Sequence, residues 1–577
     1  MTRRLFAALS AFFLLLLAAC DPPSSGGGDT PAPGTGAAPK PSAPAASASS
    51  AIKPPVNLVI AYGSEKKTWL EEQAAAFKSA GGTTKSGRPI VIQTKAMGSG
   101  EAATAIVDGT LKAHVFSPAS GLYVSMLNNA WMTKSGKSKP ISPAGDPLVL
   151  SPIVVAMWKP MAEALGWPQK SIGWGDLLKV NANPKGWGAL GHPEWGRFKL
   201  GHTHPEFSNS GLQAIVAEAY AGAKKTRGLT AADLDQKATK DLLTSIEGTI
   251  VHYGKSTGFF SDKMLARGPA YLSAAVLYEN LVIESYSKPP STFPIVAVYP
   301  SEGTFWSDHP YAVLDADWVG ADERDAAEVF LKFLKARPAQ ERALALGFRP
   351  ADPSIAIGAP VDAAHGVDPK QPQTLLEVPD GAVIDKLLAL WQTAKKPSDV
   401  SIVFDTSGSM NGNPLNEAKN GAKAFLGTLH ERDDVSLIFF STKVYPTIGP
   451  KKLGPSKADF LGRIDAQIAD GKTALYDAIA QAYKEAETRS EKSPAQIHAV
   501  MVMTDGRDEG SALTLDQLND KLRATNEAAD VKIFTIAYGD AADSKILEQI
   551  AEAAKGTAAK GTTATIVDVF RDMAAFF

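Results

Sequence analysis

Three textures succeed one another along the chain. Residues 5–18 are apolar except for Ser10, residues 21–50 hold no large apolar side chain, and from Val56 onward short apolar runs alternate with stretches of helical spacing. Strands are expected at 56–61, 90–92 and 115–116, with helices at 69–77 and 102–111. Longer apolar runs at 151–158 and 293–300 read as strands passing between two lobes, with a helix at 212–220 between them. An amphipathic helix marked by Val383, Ile384, Leu387, Leu388 and Trp391 then introduces a second series. Its strands are expected at 399–404, 435–440, 498–503 and 531–537, its helices at 416–429, 474–487, 514–525 and 544–554, and a last helix runs into Phe576 and Phe577. This alternation gives the fold class as α/β, built from βαβ units and parallel sheets: a two-lobed body followed by one doubly wound, Rossmann-like domain.

The apolar start is too short for a comfortable membrane span and follows Arg3 and Arg4, so it reads as an export signal. It closes on Leu17-Ala18-Ala19-Cys20, which resembles the bacterial lipoprotein lipobox. That resemblance implies a signal peptide over residues 1–20 and acylation of Cys20, whose palmitate-type chains hold a soluble body on a bilayer. Residues 21–53 are then a disordered Pro/Gly/Ala/Ser tether, unable to bury enough surface to offset its backbone entropy. The expected location is the bacterial cell envelope, lipid-anchored, with the folded domains outside the cytoplasm. Asp21 beside Cys20 resembles the signal for the periplasmic face of the inner membrane in a diderm host.

Charge and cysteine usage narrow the chemistry. Lys+Arg number 59 and Asp+Glu 61, a formal net charge of -2, so a nucleic-acid partner, which calls for a basic excess, is not expected. Cys20 is the only cysteine, which excludes an intramolecular disulfide framework, a Cys-ligated zinc site and a CxxC redox pair.

Where the first three strands end, the loops are rich in small hydroxyl residues and glycine: Gly63-Ser64, Gly98-Ser99-Gly100 and Ser117-Pro118-Ala119-Ser120. Ligands gather at the carboxyl ends of strands in open α/β sheets, and helix-start N–H groups there suit a carboxylate, phosphate or other oxyanion. The competing reading is that these residues are helix caps and turns. Farther on, His202-Thr203-His204-Pro205-Glu206-Phe207-Ser208-Asn209-Ser210-Gly211 precedes the helix at 212–220, and Gly347-Phe348-Arg349-Pro350 lies near the end of the series. This layout resembles the extracellular solute-binding proteins of the type II periplasmic fold. The resemblance implies a solute-binding domain over 54–395, with lobe 1 at about 54–152 and 299–395, lobe 2 at about 153–298, and a small solute in the cleft. Ser64, Ser99, Ser117, Ser120 and Ser210 are its candidate ligand-binding residues. His202 and His204 read as loop histidines near that cleft rather than metal ligands, because no further His or Cys lies close by.

The second series delivers Asp405-Thr406-Ser407-Gly408-Ser409 at the end of its first strand. This matches the Asp-x-Ser-x-Ser signature of von Willebrand factor A domains, which Thr473 in Gly471-Lys472-Thr473 and Asp505 in Met503-Thr504-Asp505-Gly506 complete. The resemblance covers 396–577 and implies a metal-ion-dependent adhesion site formed by Asp405, Ser407, Ser409, Thr473 and Asp505. Three hydroxyls and two carboxylates make a hard oxygen set that suits Mg²⁺, with Mn²⁺ or Ca²⁺ as substitutes. In this family the vacant coordination position accepts a Glu or Asp from a partner protein.

The expected function is therefore recognition without covalent chemistry, and no catalytic residue is assigned. Two alternatives stand beside it: the solute-binding component of an ABC-type transporter with an accessory docking domain, and a hydrolase using the Asp405/Ser407 loop. The second is disfavoured because Ser407 lacks the preceding Gly of a Gly-x-Ser-x-Gly elbow, and Asp405-Thr406 lacks both a following Gly and a second copy.

Overall fold

A computed structural model describes residues 53–288, 292–525, 531–538 and 542–562, together with 565, 566, 569, 570, 573 and 576. The export signal, Cys20 and nearly all of the tether lie outside the described residues, as does much of the last expected helix. Lys53–Phe577 form one compact unit. Among the described residues, no helix is long and apolar enough to cross a membrane.

The first sheet runs in the order β2-β1-β3-β11-β4, from β1 (Val56–Gly63), β2 (Ile90–Met97), β3 (Val115–Ser117), β4 (Asp146–Pro147) and β11 (Pro310–Val313). β1 lies parallel to β2 and β3, and its Leu58 and Ile60 are wholly buried. The second sheet comprises β5 (Val149–Trp158), β6 (Leu200–Thr203), β7 (Ile250–Gly254), β8 (Ala274–Tyr278), β9 (Ile295–Val298), β10 (Trp306–Ser307) and β12 (Arg349–Pro350). Alternation of strands and helices predicted parallel sheets, but both are mixed. β11 is antiparallel to β3, and β5 is antiparallel to β8, β9, β10 and β12. The reason is the path: β5 leads the chain out to the second lobe, and β9 to β11 bring it back.

The third sheet has the order β15-β14-β13-β16-β17-β18, from β13 (Ser398–Asp405), β14 (Asp434–Phe440), β15 (Ile448–Lys452), β16 (Ile497–Thr504), β17 (Val531–Tyr538) and β18 (Thr557–Gly561). It is parallel except for β15. β13, β16 and β17 are buried at every position, so helices cover both faces and their apolar runs are continuous. β15, β18 and the helix Leu453–Asp465 have no counterpart in the sequence reading. Ile448-Gly449-Pro450-Lys451-Lys452 is an edge strand whose last three residues are exposed, so it carries no apolar alternation.

One assignment needs correcting. The helix Gly381–Ala394, placed by sequence in the first lobe, packs on the second-lobe helices Asn209–Ala223, Ala231–Asp235 and Lys237–Glu247. Its apolar face is the cause: Trp391 is wholly buried, its ring centroid 4.8 Å from that of His204 and 5.4 Å from that of Tyr253. The third sheet is fastened to the same lobe. Arg267 donates to the carbonyls of Lys555 and Gly556, Lys532 Nζ to Val251 O (3.3 Å), and Arg432 to Thr393 O (2.5 Å) and Gln392 O (3.0 Å).

Candidate functional site

The rim of the third sheet gathers all five residues of the Asp-x-Ser-x-Ser set. β13 is flanked on both sides by parallel strands, so its last residue, Asp405, emerges at a fixed edge beside Thr504 at the end of β16. Thr504 Oγ1 donates to Asp405 Oδ2 (2.5 Å), and the Ser407 N–H donates to Asp405 Oδ1 (2.8 Å). Ser407 Oγ lies 3.1 Å from Ser409 Oγ, which donates to Asp505 Oδ1 at 2.7 Å. The Gly408 N–H donates to Gly471 O (3.0 Å) and draws in the loop that carries Thr473. A methyl group on Gly506 would lie 3.3 Å from Thr473 Oγ1 and 3.5 Å from Ser409 Oγ, so both hydroxyls face the same small space. Sequence reasoning missed Thr504, whose only signal is its place as the last β16 residue.

The electrostatics of the rim are those of a site short of positive charge. Asp405 is wholly buried, and burial pushes its carboxyl up to about 6 against the hydrogen bonds from Ser407 and Thr504, with Asp505 adding to the rise. Burial also raises the Asp505 carboxyl. Two adjacent carboxylates and three hydroxyls, with no nitrogen or sulfur in the set, fit a hard divalent cation. Each Asp405 oxygen accepts one hydrogen bond, which orients the carboxylate and leaves a lone pair on each for an ion or its bound water.

The five cleft serines lie along the seam between the lobes, and all are buried. Ser64 Oγ donates to Ser256 Oγ (2.9 Å) and accepts the Gly258 N–H (2.9 Å); Ser210 Oγ lies 2.8 Å from both Thr203 Oγ1 and Thr257 Oγ1. Ser64 and Ser210 therefore meet through the Ser256-Thr257-Gly258 turn. Ser99 Oγ accepts the Ala119 N–H (3.1 Å), and Ser120 Oγ caps its helix by accepting the Leu122 N–H (3.1 Å). Glycine lets the lobes close this tightly, since a Cβ on Gly100 would sit 1.9 Å from Glu206 O and one on Gly258 2.5 Å from Ser64 O.

Two expectations are corrected here. The helix-start amides offered to an oxyanion after β2 are taken by protein, because Phe207 O accepts the Gly100 and Glu101 N–H groups at 3.0 and 3.1 Å. His202 and His204 are not cleft-loop histidines. His202 lies on β6 with Nε2 3.0 Å from Glu247 Oε1, and His204 is buried among Phe207, Tyr253 and Trp391. Both follow β6 into the interior, where the apolar face of the Gly381–Ala394 helix closes over them.

The seam also holds groups the sequence did not single out. Lys66 is wholly buried and donates from Nζ to Glu65 Oε1 (2.9 Å) and Pro118 O (3.2 Å), with His309 Nδ1 3.2 Å away. Burial would raise the Glu65 carboxyl, but Lys66 and His309 together bring it down to about 2. Asn209 Nδ2 donates to Tyr278 Oη (3.0 Å), and Ser307 Oγ to Gln213 Oε1 (3.0 Å). Four buried polar atoms on this network and beside it have no hydrogen-bond partner: Ser117 Oγ, Asn209 Oδ1, Gln213 Nε2 and His309 Nε2. Buried polar groups are normally paired, so these donors and acceptors are the ones an enclosed polar molecule would satisfy.

The model of bacterial extracellular solute-binding proteins matches residues 58–349, and that of the von Willebrand factor type A domain residues 399–573. An uncharacterized protein of Mycobacterium tuberculosis is 24% identical over 485 residues, which cover 78% of this chain and 67% of that protein. An uncharacterized protein of Synechocystis is 29% identical over 166 residues, covering 28% of this chain; the chain spans only 37% of that relative's length. Among solved structures, the sulfate-binding protein SubI of Mycobacterium tuberculosis is 20% identical with a TM-score of 0.37, over 52% of this chain and 88% of that one.

Proposed function

From a chain that belongs to the bacterial extracellular solute-binding protein family and ends in a von Willebrand factor type A domain, we propose a lipid-anchored envelope receptor with two recognition sites. Both modules come from families of binding domains, and the first belongs to an extracytoplasmic class. The first site encloses a small polar solute between the lobes; the second engages an acidic side chain of a partner protein at the rim. The observation that carries this reading is the meeting of Asp405, Ser407, Ser409, Thr473 and Asp505 at one sheet edge, from segments about 100 residues apart. A bound Mg²⁺ would supply a coordination position for the partner's carboxylate. The chain's own groups prepare that event: the hydroxyls leave the site's positive charge largely intact, and Asp405 and Asp505 orient what binds.

The solute half rests on the four unpaired atoms of the seam. Ser117→Ala removes one of them, so the empty protein should be as stable as the parent or more stable by about 1 kcal/mol. Affinity for the solute should fall by about 1–3 kcal/mol, because the ligand group facing Ser117 then loses its partner. Native mass spectrometry of protein purified without unfolding would show a small-molecule adduct in the parent and less of it in Ser117→Ala. Equal occupancy in both would return Ser117 to a purely structural role.

Anchoring is tested independently. Cys20→Ser should release the protein from membranes or leave an uncleaved precursor, and salt-resistant attachment of a processed Cys20→Ser protein would refute the lipid anchor. Delivery of solute to a permease, the transport alternative, requires uptake that depends on this chain and survives Asp405→Ala.

A further inference from the structure

The second lobe encloses a cluster that neither recognition site uses. His202 on β6, Glu218 in the helix Asn209–Ala223 and Glu247 at the end of the helix Lys237–Glu247 are all wholly buried, and their ligating atoms lie within 4.8 Å of one another. His202 Nδ1 lies 2.7 Å from Thr203 O. A carbonyl only accepts, so Nδ1 carries a hydrogen there, and Nε2 on the far side of the ring faces Glu247 Oε1, 3.0 Å away. Tyr253 Oη donates to the other Glu247 oxygen at 2.7 Å. Glu218 Oε1 and Oε2 are both buried, with the Glu247 carboxylate as their neighbour.

Three groups that can ligate a metal thus converge in a place where a carboxylate without a counter-charge is costly. Their outer contacts have the form found around metal ligands: the far imidazole N–H goes to a backbone carbonyl, and a hydroxyl steadies the carboxylate. Two carboxylates cancel the charge of a divalent ion, which permits full burial. One imidazole with carboxylate oxygens suits zinc better than Mg²⁺ or Ca²⁺, which favour all-oxygen shells.

We propose that His202, Glu218 and Glu247 bind one zinc ion as a closed structural site, tying β6 to the two helices that also receive the Gly381–Ala394 helix. The three residues supply three donors, and a second Glu218 oxygen would fill the fourth position of a structural zinc and close the site to water. The ion enters as the chain folds, since no donor is exposed afterwards.

The test uses the full-length Asp405→Ala chain, so that the rim contributes no metal, expressed with added zinc and dialysed against EDTA without unfolding. Elemental analysis should find close to one zinc per chain, and Glu218→Gln in that background should lower the content more than tenfold. Should Glu218→Gln fail to fold, X-ray absorption of the parent decides, with one imidazole and oxygen ligands at about 2.0–2.2 Å and no sulfur expected. A folded parent holding less than about a tenth of an ion of zinc, manganese or iron per chain would overturn the proposal. So would a Glu218→Gln protein of equal or higher melting temperature, since a glutamine can replace a proton shared with Glu247 but cannot replace a metal ligand. Neither result bears on the rim site, whose residues are already disabled.

Discussion

Mg²⁺ should raise the melting temperature of the parent protein, Asp405→Ala should abolish that rise, and the rise should itself depend strongly on pH. The Asp405 carboxyl stands at about 6 in the fold against an ordinary value of 3.8. A raised acid stabilises the fold below its ordinary value, and that contribution is lost as pH rises through about 6. At neutral pH the ion-free rim therefore carries a penalty of about 3 kcal/mol, the rise from 3.8 to about 6 taken at ~1.36 kcal/mol per tenfold change in proton affinity. A cation bound there relieves that penalty, so Mg²⁺ should stabilise most above pH ~6 and progressively less toward pH ~4, where it must displace a proton. Asp405→Asn separates charge from shape: without Mg²⁺ it should be more stable than the parent at pH ~7.5 by up to about 3 kcal/mol, and indifferent to the ion. Thermal denaturation across this range is the measurement. A Mg²⁺ response that persists in Asp405→Asn would remove the ion from the rim.

Lys66→Met should cost about 3–5 kcal/mol, because it strands the Glu65 carboxylate in a closed seam. The partners of Glu65 hold it at about 2 against an ordinary 4.5, so its contribution is present above 4.5 and lost as pH falls through about 2. Without Lys66 the carboxyl will take up a proton instead, and the deficit should shrink toward pH ~4. Lys66→Met with Glu65→Gln should regain most of the loss in urea denaturation. A single variant as stable as the parent at neutral pH would mean that the seam admits water and the pair is solvated.

These two sites differ in how far they could be read from the chain. Asp405, Ser407 and Ser409 sit within one turn, and Thr473 and Asp505 stand at a helix entry and a strand end, so local pattern and topology together locate the rim. The Glu65-Lys66 pair offers no such sign. Adjacent charges in a loop ordinarily read as solvated, and their burial depends on His309 and Pro118, which arrive from far along the chain. The same limit applies to His202: its partners Glu218 and Glu247 are spaced by helices, and neither is a His or Cys that would draw notice. Ser99 and Ser120 were legible both as hydroxyls near a cleft and as caps; Ser120 is a cap, whereas Ser99 accepts from Ala119, 20 residues on, which no local pattern displays. The lobe of the Gly381–Ala394 helix was hidden for a related reason, since an apolar face shows that a helix packs without showing on what.

The attachment of the third sheet to the second lobe alone among these contacts, through Arg267, Lys532 and Arg432, also has a mechanical meaning. β1 belongs to the first lobe, so a tensile load applied between β1 and the rim passes from one lobe to the other. It is borne there by scattered single bonds such as Gly258 N–H to Ser64, Gly100 N–H to Phe207 and Tyr123 Oη to Pro205. Each contributes only about 1 kcal/mol net and can yield alone, whereas the strand ladders must be sheared many bonds at a time. A load between β1 and the rim should therefore part the seam before any strand ladder yields, which single-molecule pulling would record as a low-force step ahead of unfolding.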